Sequence, residues 1–175
     1  GCQMNFADSR QAAEELDALG FRETTSPQDA DLILLNTCVV RQSAEDKVVG
    51  RLTSLAGLKR RRPALRLALM GCYVDEIPAL QHRYPWVDAF IKPSDVPAVV
   101  EFARQLSDQK AGPEADEREP PTGLMGSQPP VSVGVSISQG CDHLCTYCIV
   151  RLRRGPEVSR PITEIVEEVR DLVQR

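Results

Sequence analysis

The sequence predicts an α/β fold, an N-terminal open parallel sheet with helices on both faces, over residues 1–106 of the 175-residue chain. Three observations predict it. Short apolar runs at Leu32–Leu35, Leu65–Met70 and Ala89–Ile91 have strand length and are bounded by turn residues. Longer segments with apolar residues at three- and four-residue spacing separate these runs. Such alternation lets successive strands run parallel while each intervening helix covers one face of the sheet.

Taken in order, Asp8 or Ser9 is the expected N-cap of a first helix through Ala12, Leu16 and Leu19, closed by Gly20. An extended piece at Phe21–Thr24 and a turn at Ser26-Pro27 lead into the strand from Leu32. Ser43-Ala44-Glu45-Asp46 reads as the capped start of a second helix, with Val48, Leu52, Leu55 and Leu58 as its apolar face. The strand from Leu65 leads to Cys72, a helix covers Ile77–Arg83, a strand covers Ala89–Ile91, and Pro97–Leu106 forms a further helix. Residues 107–130 then turn to Pro, Gly, Glu, Asp and Ser, including Pro120-Pro121 and Pro129-Pro130. That composition buries too little apolar surface to order itself and predicts a flexible linker. Val131–Ser138 alternates as a strand. Pro161–Val173 reads as a helix whose stripe of Ile162, Ile165, Val166, Val169, Leu172 and Val173 is expected to pack in a core.

With 42% hydrophobic and 26% charged residues and no apolar stretch of membrane-spanning length, the composition points to a soluble cytoplasmic protein. A formal net charge of −4 argues against a broad electrostatic hold on RNA by this part of the chain. The six cysteines carry the most chemical information. Disulfide pairing is disfavoured, because the chain shows no signal peptide and is long enough to bury a core without staples.

Cys141, Cys145 and Cys148 stand as C-x-x-x-C-x-x-C, with Tyr147 just before the last. Three thiolates from one short loop leave one iron of a four-iron cubane without a protein ligand, open to a small molecule. Ferredoxin-type runs close the cluster, and structural zinc wants four ligands from paired hooks. His143 lies inside the loop and is read as a loop residue, since the triplet is complete without it.

Cys2, Cys38 and Cys72 are widely separated in sequence. Cys38 and Cys72 each sit just past the C-terminal end of an expected strand, where parallel sheets place ligands. By the same pattern Cys2 is expected to follow a strand preceding Gly1. Singly, each thiol is an ordinary buried small side chain. Together they read as ligands of a second cluster.

The loop is similar to the signature of the radical S-adenosylmethionine (SAM) superfamily. Gly1-Cys2-Gln3-Met4-Asn5, Asp8-Ser9, Asn36-Thr37-Cys38 with Val40-Arg41, Gly71-Cys72, Cys145-Thr146-Tyr147-Cys148-Ile149-Val150, Arg154-Gly155 and Glu157-Val158-Ser159-Arg160-Pro161 resemble the radical-SAM methylthiotransferases. The G-C-Q-M-N opening and the N-T-C-x-V-R run are most similar to the tRNA branch, MiaB type, which methylthiolates N6-isopentenyladenosine beside the anticodon. Two departures stand out: Arg151 where the family usually has proline, and Gly71-Cys72-Tyr73-Val74-Asp75 in place of G-C-x-A-Q.

The resemblance implies two 4Fe-4S clusters, held by Cys2, Cys38 and Cys72 and by Cys141, Cys145 and Cys148, with Tyr147 near the adenine of SAM. It implies that residues 131–175 contribute the first strand, cluster loop and helix of a radical-SAM partial TIM-type barrel, incomplete here and inactive alone. It implies tRNA as partner, bound mainly through regions beyond this chain, a flavodoxin or ferredoxin as electron donor, and a monomer. Alternatives are the methylthiotransferases that act on threonylcarbamoyl-adenosine or a ribosomal protein, an iron-sulfur electron-transfer or binding module, and a zinc-binding interaction domain.

Among weaker signals, Lys59–Arg62 ends an expected helix and reads as a solvated cap. Arg151, Arg153 and Arg154 flank the loop and are candidates for contact with phosphate or SAM, surface ion pairing being the equal alternative. His82 reads as a surface helix residue, and Trp86 as a packing anchor rather than a base-stacking platform.

Overall fold

The computed structural model describes residues 2–110 and 133–174. The elements run α1 (Gln3–Ala18), β1 (Leu32–Thr37), α2 (Gln42–Arg61), β2 (Arg66–Gly71), α3 (Ile77–Arg83), β3 (Ala89–Ile91) and α4 (Val96–Lys110), followed by β4 (Ser138–Gln139), α5 (Val150–Arg154), β5 (Val158–Ser159) and α6 (Ile162–Gln174). Strands β1, β2 and β3 form a parallel sheet in that order, with Leu32 opposite Arg66 and Thr37 opposite Gly71.

Helices cover both faces of the sheet, as the alternation predicts. Because side chains alternate along a strand, Leu67 and Leu69 of β2 face one way and Ala68 and Met70 the other. The first pair packs with Leu52, Leu55 and Leu58 of α2 and with partly buried Leu80 of α3. The second packs with Ala12 of α1 and Val96 and Val99 of α4. All four β2 side chains are fully enclosed, so the central strand is the heart of the core.

Several expected boundaries move. The first helix starts at Gln3 with Cys2 as N-cap, so Asp8 and Ser9 lie inside it rather than at its start. Their polar side chains serve tertiary partners, which mimics a capping signal in sequence. The second helix starts after Arg41 with no side-chain cap, so Ser43 is helical. The turn after Ser26 is present, with Asp29 N donating to Ser26 O. Helix α4 continues four residues past the expected end, to Lys110, and the remainder of the expected linker, 111–130, lies outside the described residues.

The strand expected over Val131–Ser138 is not formed over the described residues 133–137. Only Ser138 and Gln139 are extended in a ladder, paired antiparallel with Val158 and Ser159, and no barrel is built among the described residues. Sequence alternation marks where a strand can form, but a ladder requires a neighbour to accept it. Helix α6 forms as expected, yet its stripe is not core: Ile162 and Val173 are 76% and 81% exposed, and Val166 and Val169 are exposed too. It is held instead by polar contacts to α1, described below. Among the described residues no helix is long and apolar enough to cross a membrane.

Candidate functional site

The parallel register sets the site. Thr37 and Gly71 are paired at the carboxyl ends of β1 and β2, so the next residues, Cys38 and Cys72, leave the sheet side by side. Cys72 N donates to Thr37 O at 3.1 Å. This close approach depends on Gly71, whose φ is 101° and where a Cβ would stand 2.5 Å from both Asn36 Oδ1 and Thr37 O. Thr37, 1% exposed, donates from Oγ1 to Met70 O at 2.7 Å and accepts from Tyr73 N at 3.2 Å, bracing the turn after β2.

Cys2 reaches the same corner through asparagines. Asn5 Nδ2 donates to Thr37 O at 2.7 Å and to Asn36 Oδ1 at 3.0 Å. Asn36 Nδ2 donates back to Asn5 O at 2.8 Å and to Ser9 Oγ at 2.9 Å. The reciprocal amides fasten the start of α1 to the end of β1, and Cys2 Sγ donates to Asn5 Oδ1 at 3.2 Å. The motif residues Asn5 and Asn36 thus have a structural task, which spacing alone did not disclose.

All six cysteines are free, with Cys38 and Cys72 buried and Cys2 half-buried. Burial pushes the Cys72 thiol above its ordinary value, the charge and hydrogen bond of Arg154 oppose it, and Cys38 and Cys2 add to the upward push. The strand register and the Asn5 hydrogen bonds thus bring the three thiols to one end of the sheet. Beside them a cavity of about 210 Å³ is lined in part by Val39, Tyr73, Asp75, Ile149 and Arg153, from both chain segments.

The second cysteine set lies on the loop between β4 and α5. Gly140, at φ 75°, opens it; a Cβ there would stand 1.9 Å from Pro156 O, so only glycine allows the crossing. Cys141 N donates to Gly155 O at 3.2 Å, and Arg151 Nη1 donates to Asp142 O at 3.0 Å. Glu157 N donates to Asp142 Oδ1 at 3.1 Å, so the loop is braced at its start and open at its tip. Cys145 is exposed, Cys141 and Cys148 are half-buried, and Tyr147 is 90% exposed.

Among the described residues no three His, Cys, Asp or Glu side chains are gathered closely enough to hold one metal ion. A cubane differs from a single ion, because its thiolates go to separate irons and surround the group rather than meet at a point. A purely sulfur donor set spread around one corner suits such a group.

The basic runs serve the fold. Lys59 donates to Leu65 O and to both Asp88 carboxylate oxygens, and Arg62 to Gln28 O and Ala30 O, so these two clamp the fold, while Arg60 and Arg61 are exposed at the end of α2, as the solvated-cap reading expects. Arg153 pairs with Asp75, Arg151 with Asp142, and Arg154 with Asp8. The ion-pairing alternative therefore describes all three, and Arg154 is buried in doing so. His82 is exposed on α3, and Trp86 packs edge-on against Tyr84 with ring centroids 5.6 Å apart, as expected.

The model of a family described as "uncharacterized protein family UPF0004" matches residues 1–92. A protein named tRNA-2-methylthio-N(6)-dimethylallyladenosine synthase from Chloroflexus aurantiacus is 43% identical over 180 aligned positions, covering 100% of this chain and 37% of its own length. Proteins of the same name from Dehalococcoides mccartyi strain CBDB1 and Ruegeria pomeroyi are 41% and 38% identical, again across 100% of this chain and 38% and 41% of their own. The chain thus spans about two-fifths of the length of these relatives, whose name is that of the branch its motifs resemble. With a match across more than half of its residues, including Cys2, Cys38 and Cys72, the chain belongs to the UPF0004 family.

Proposed function

We propose that the chain is part of a tRNA methylthiotransferase that adds a methylthio group to C2 of N6-isopentenyladenosine beside the anticodon, using SAM and two 4Fe-4S clusters. The observation that carries this reading is the placement of Cys2, Cys38 and Cys72, remote in sequence, at one end of the sheet next to the segment bearing the C-x-x-x-C-x-x-C loop. The names of the relatives support the substrate.

In this reading Cys2, Cys38 and Cys72 hold an auxiliary cluster, and Cys141, Cys145 and Cys148 hold the cluster that meets SAM. With three protein ligands each, the clusters supply reductive SAM cleavage at one site and sulfur at the other. Tyr147, exposed on the loop, would lie near the adenine of SAM. The asparagine pair and Thr37 hold the auxiliary thiols in place without competing for iron. Residues 1–106, with the continuation of α4 to Lys110, form the methylthiotransferase domain, and 131–175 the start of the radical-SAM domain. The enzyme works as a cytoplasmic monomer, takes electrons from a flavodoxin or ferredoxin, and meets tRNA mainly through regions other than this chain, consistent with the net charge of −4 here.

Anaerobic reconstitution of the full-length protein tests this. Iron and sulfide should each reach about eight per chain. Cys38→Ala and Cys145→Ala should each lose about half of the iron, with SAM cleavage retained in the first and lost in the second. Zinc in place of iron, or full iron and methylthiolation in Cys38→Ala, would end the assignment.

A further inference from the structure

Arg154 ends α5, the short helix after the cysteine loop, and its side chain is 4% exposed. Its guanidinium donates through Nη2 to Asp8 Oδ2 at 2.9 Å and through Nη1 to Ser94 Oγ at 2.7 Å. The Ser94 hydroxyl donates in turn to Asp8 Oδ1 at 2.8 Å. Three hydrogen bonds therefore form a ring joining α1, the β3–α4 turn and α5. Asp8 is also buried, with 8% of its side chain exposed. Among the described residues Ser94 is the only non-glycine with a left-handed backbone, at φ 62°. Such a conformation persists only where its surroundings over-determine it.

A buried arginine–carboxylate pair adds little net stability, because desolvation offsets the attraction. What it fixes is geometry, since only a planar fork meets two acceptors at set positions. The Arg154 charge also opposes the burial that pushes the Cys72 thiol up. One side chain therefore joins the cysteine-loop segment, the first helix and the β3–α4 turn.

We propose that Arg154 is a positioning residue: clamped by Asp8 and Ser94, it fixes the segment bearing Cys141, Cys145 and Cys148 against α1 and the β3–α4 turn of the part that carries Cys2, Cys38 and Cys72. The significance of that arrangement rests on the cluster reading above, while the clamp itself belongs to the polypeptide. It sets the relation between the two thiol sites, which the chain connection alone leaves free.

The test uses the full-length protein with Arg154→Gln, Arg154→Lys, Asp8→Asn and the Asp8→Asn/Arg154→Gln pair. In the metal-free state, amide exchange over residues 150–154 is read by mass spectrometry. Each single variant should raise these rates by about tenfold. Lysine should not rescue, because one ammonium cannot replace the fork, and the pair should be no worse than either single change. Ser94→Gly suits φ 62° and removes the hydroxymethyl group with its hydrogen bonds; it should raise the same rates by a smaller factor and keeps the test available if the charged variants do not fold. Unchanged rates in Arg154→Gln and Ser94→Gly, or full rescue by lysine, would overturn the clamp. A protein that takes up no iron, yet frees residues 150–154 in Arg154→Gln, fails the proposed function and keeps the clamp.

Discussion

Gly71 is where a single residue decides the site. Its left-handed φ and the 2.5 Å clearance to Thr37 O mean that Gly71→Ala must both strain the backbone and push β1 away from β2. The expected cost is about 3 kcal/mol, measured by urea unfolding. Tyr73, two residues on, is buried with its hydroxyl 2.8 Å from that of Tyr84. Burial first, then the Tyr84 hydrogen bond, pushes Tyr73 up to about 12 from 10.0. The folded state thus holds this proton more tightly than the unfolded chain. The stability so contributed is complete below pH about 10 and disappears as pH rises to about 12. Tyr73→Phe should flatten that alkaline decline in urea midpoints taken across the range. At this scale the sequence disclosed the cysteines, whose chemistry is carried by residue type. It did not disclose Thr37, Asn5 or Arg154 as supports, because a hydrogen bond across 31 or 146 positions leaves no local pattern.

At the scale of elements, α6 shows how a strong periodic signal can be right about a helix and wrong about its burial. Its anchor is Glu168, which accepts from Arg10 of α1 at 2.8 Å and from Arg160 at 2.6 Å. Burial opposes the charge on Glu168, yet hydrogen bonds and charge from Arg160 and Arg10 prevail and hold the carboxyl below its ordinary 4.5. The folded value lies below the unfolded one, so this stabilisation is present above pH about 4.5 and is lost as acid titrates the folded carboxyl. Amide protection of α6 should fall in that acid range. Glu168→Gln should show the loss already at neutral pH, measured by hydrogen exchange. Helix α3 and strand β3 matched their expected bounds, since punctuation and apolar spacing are local properties. The start of α1 did not, because Asp8 and Ser9 are polar for the sake of Arg154, Ser94 and Asn36.

For the whole molecule, burial is unevenly shared. Helices α5 and α6 contribute no buried apolar residue, whereas the sheet and its helices hold the two core clusters. Segment 133–174 is joined to the rest chiefly by Arg10–Glu168, Arg153–Asp75 and Arg154–Asp8. Native-state hydrogen exchange should show 133–174 opening before β1–β3, and the gap should widen with salt, which screens the more exposed pairs. Equal protection in both parts at every salt concentration would contradict this division. The sequence by itself determined the alternation of strands and helices, the loop that bears Cys141, Cys145 and Cys148, and the family. Each of these is written in neighbouring residues or in a run of them. Only tertiary structure decided that Cys2, Cys38 and Cys72 share a corner, and that Asp8, Ser94 and Arg154 tie the loop segment to it. These follow from the register of Thr37 on Gly71 and from helix packing, which bring distant residues together without any repeat along the chain to announce it.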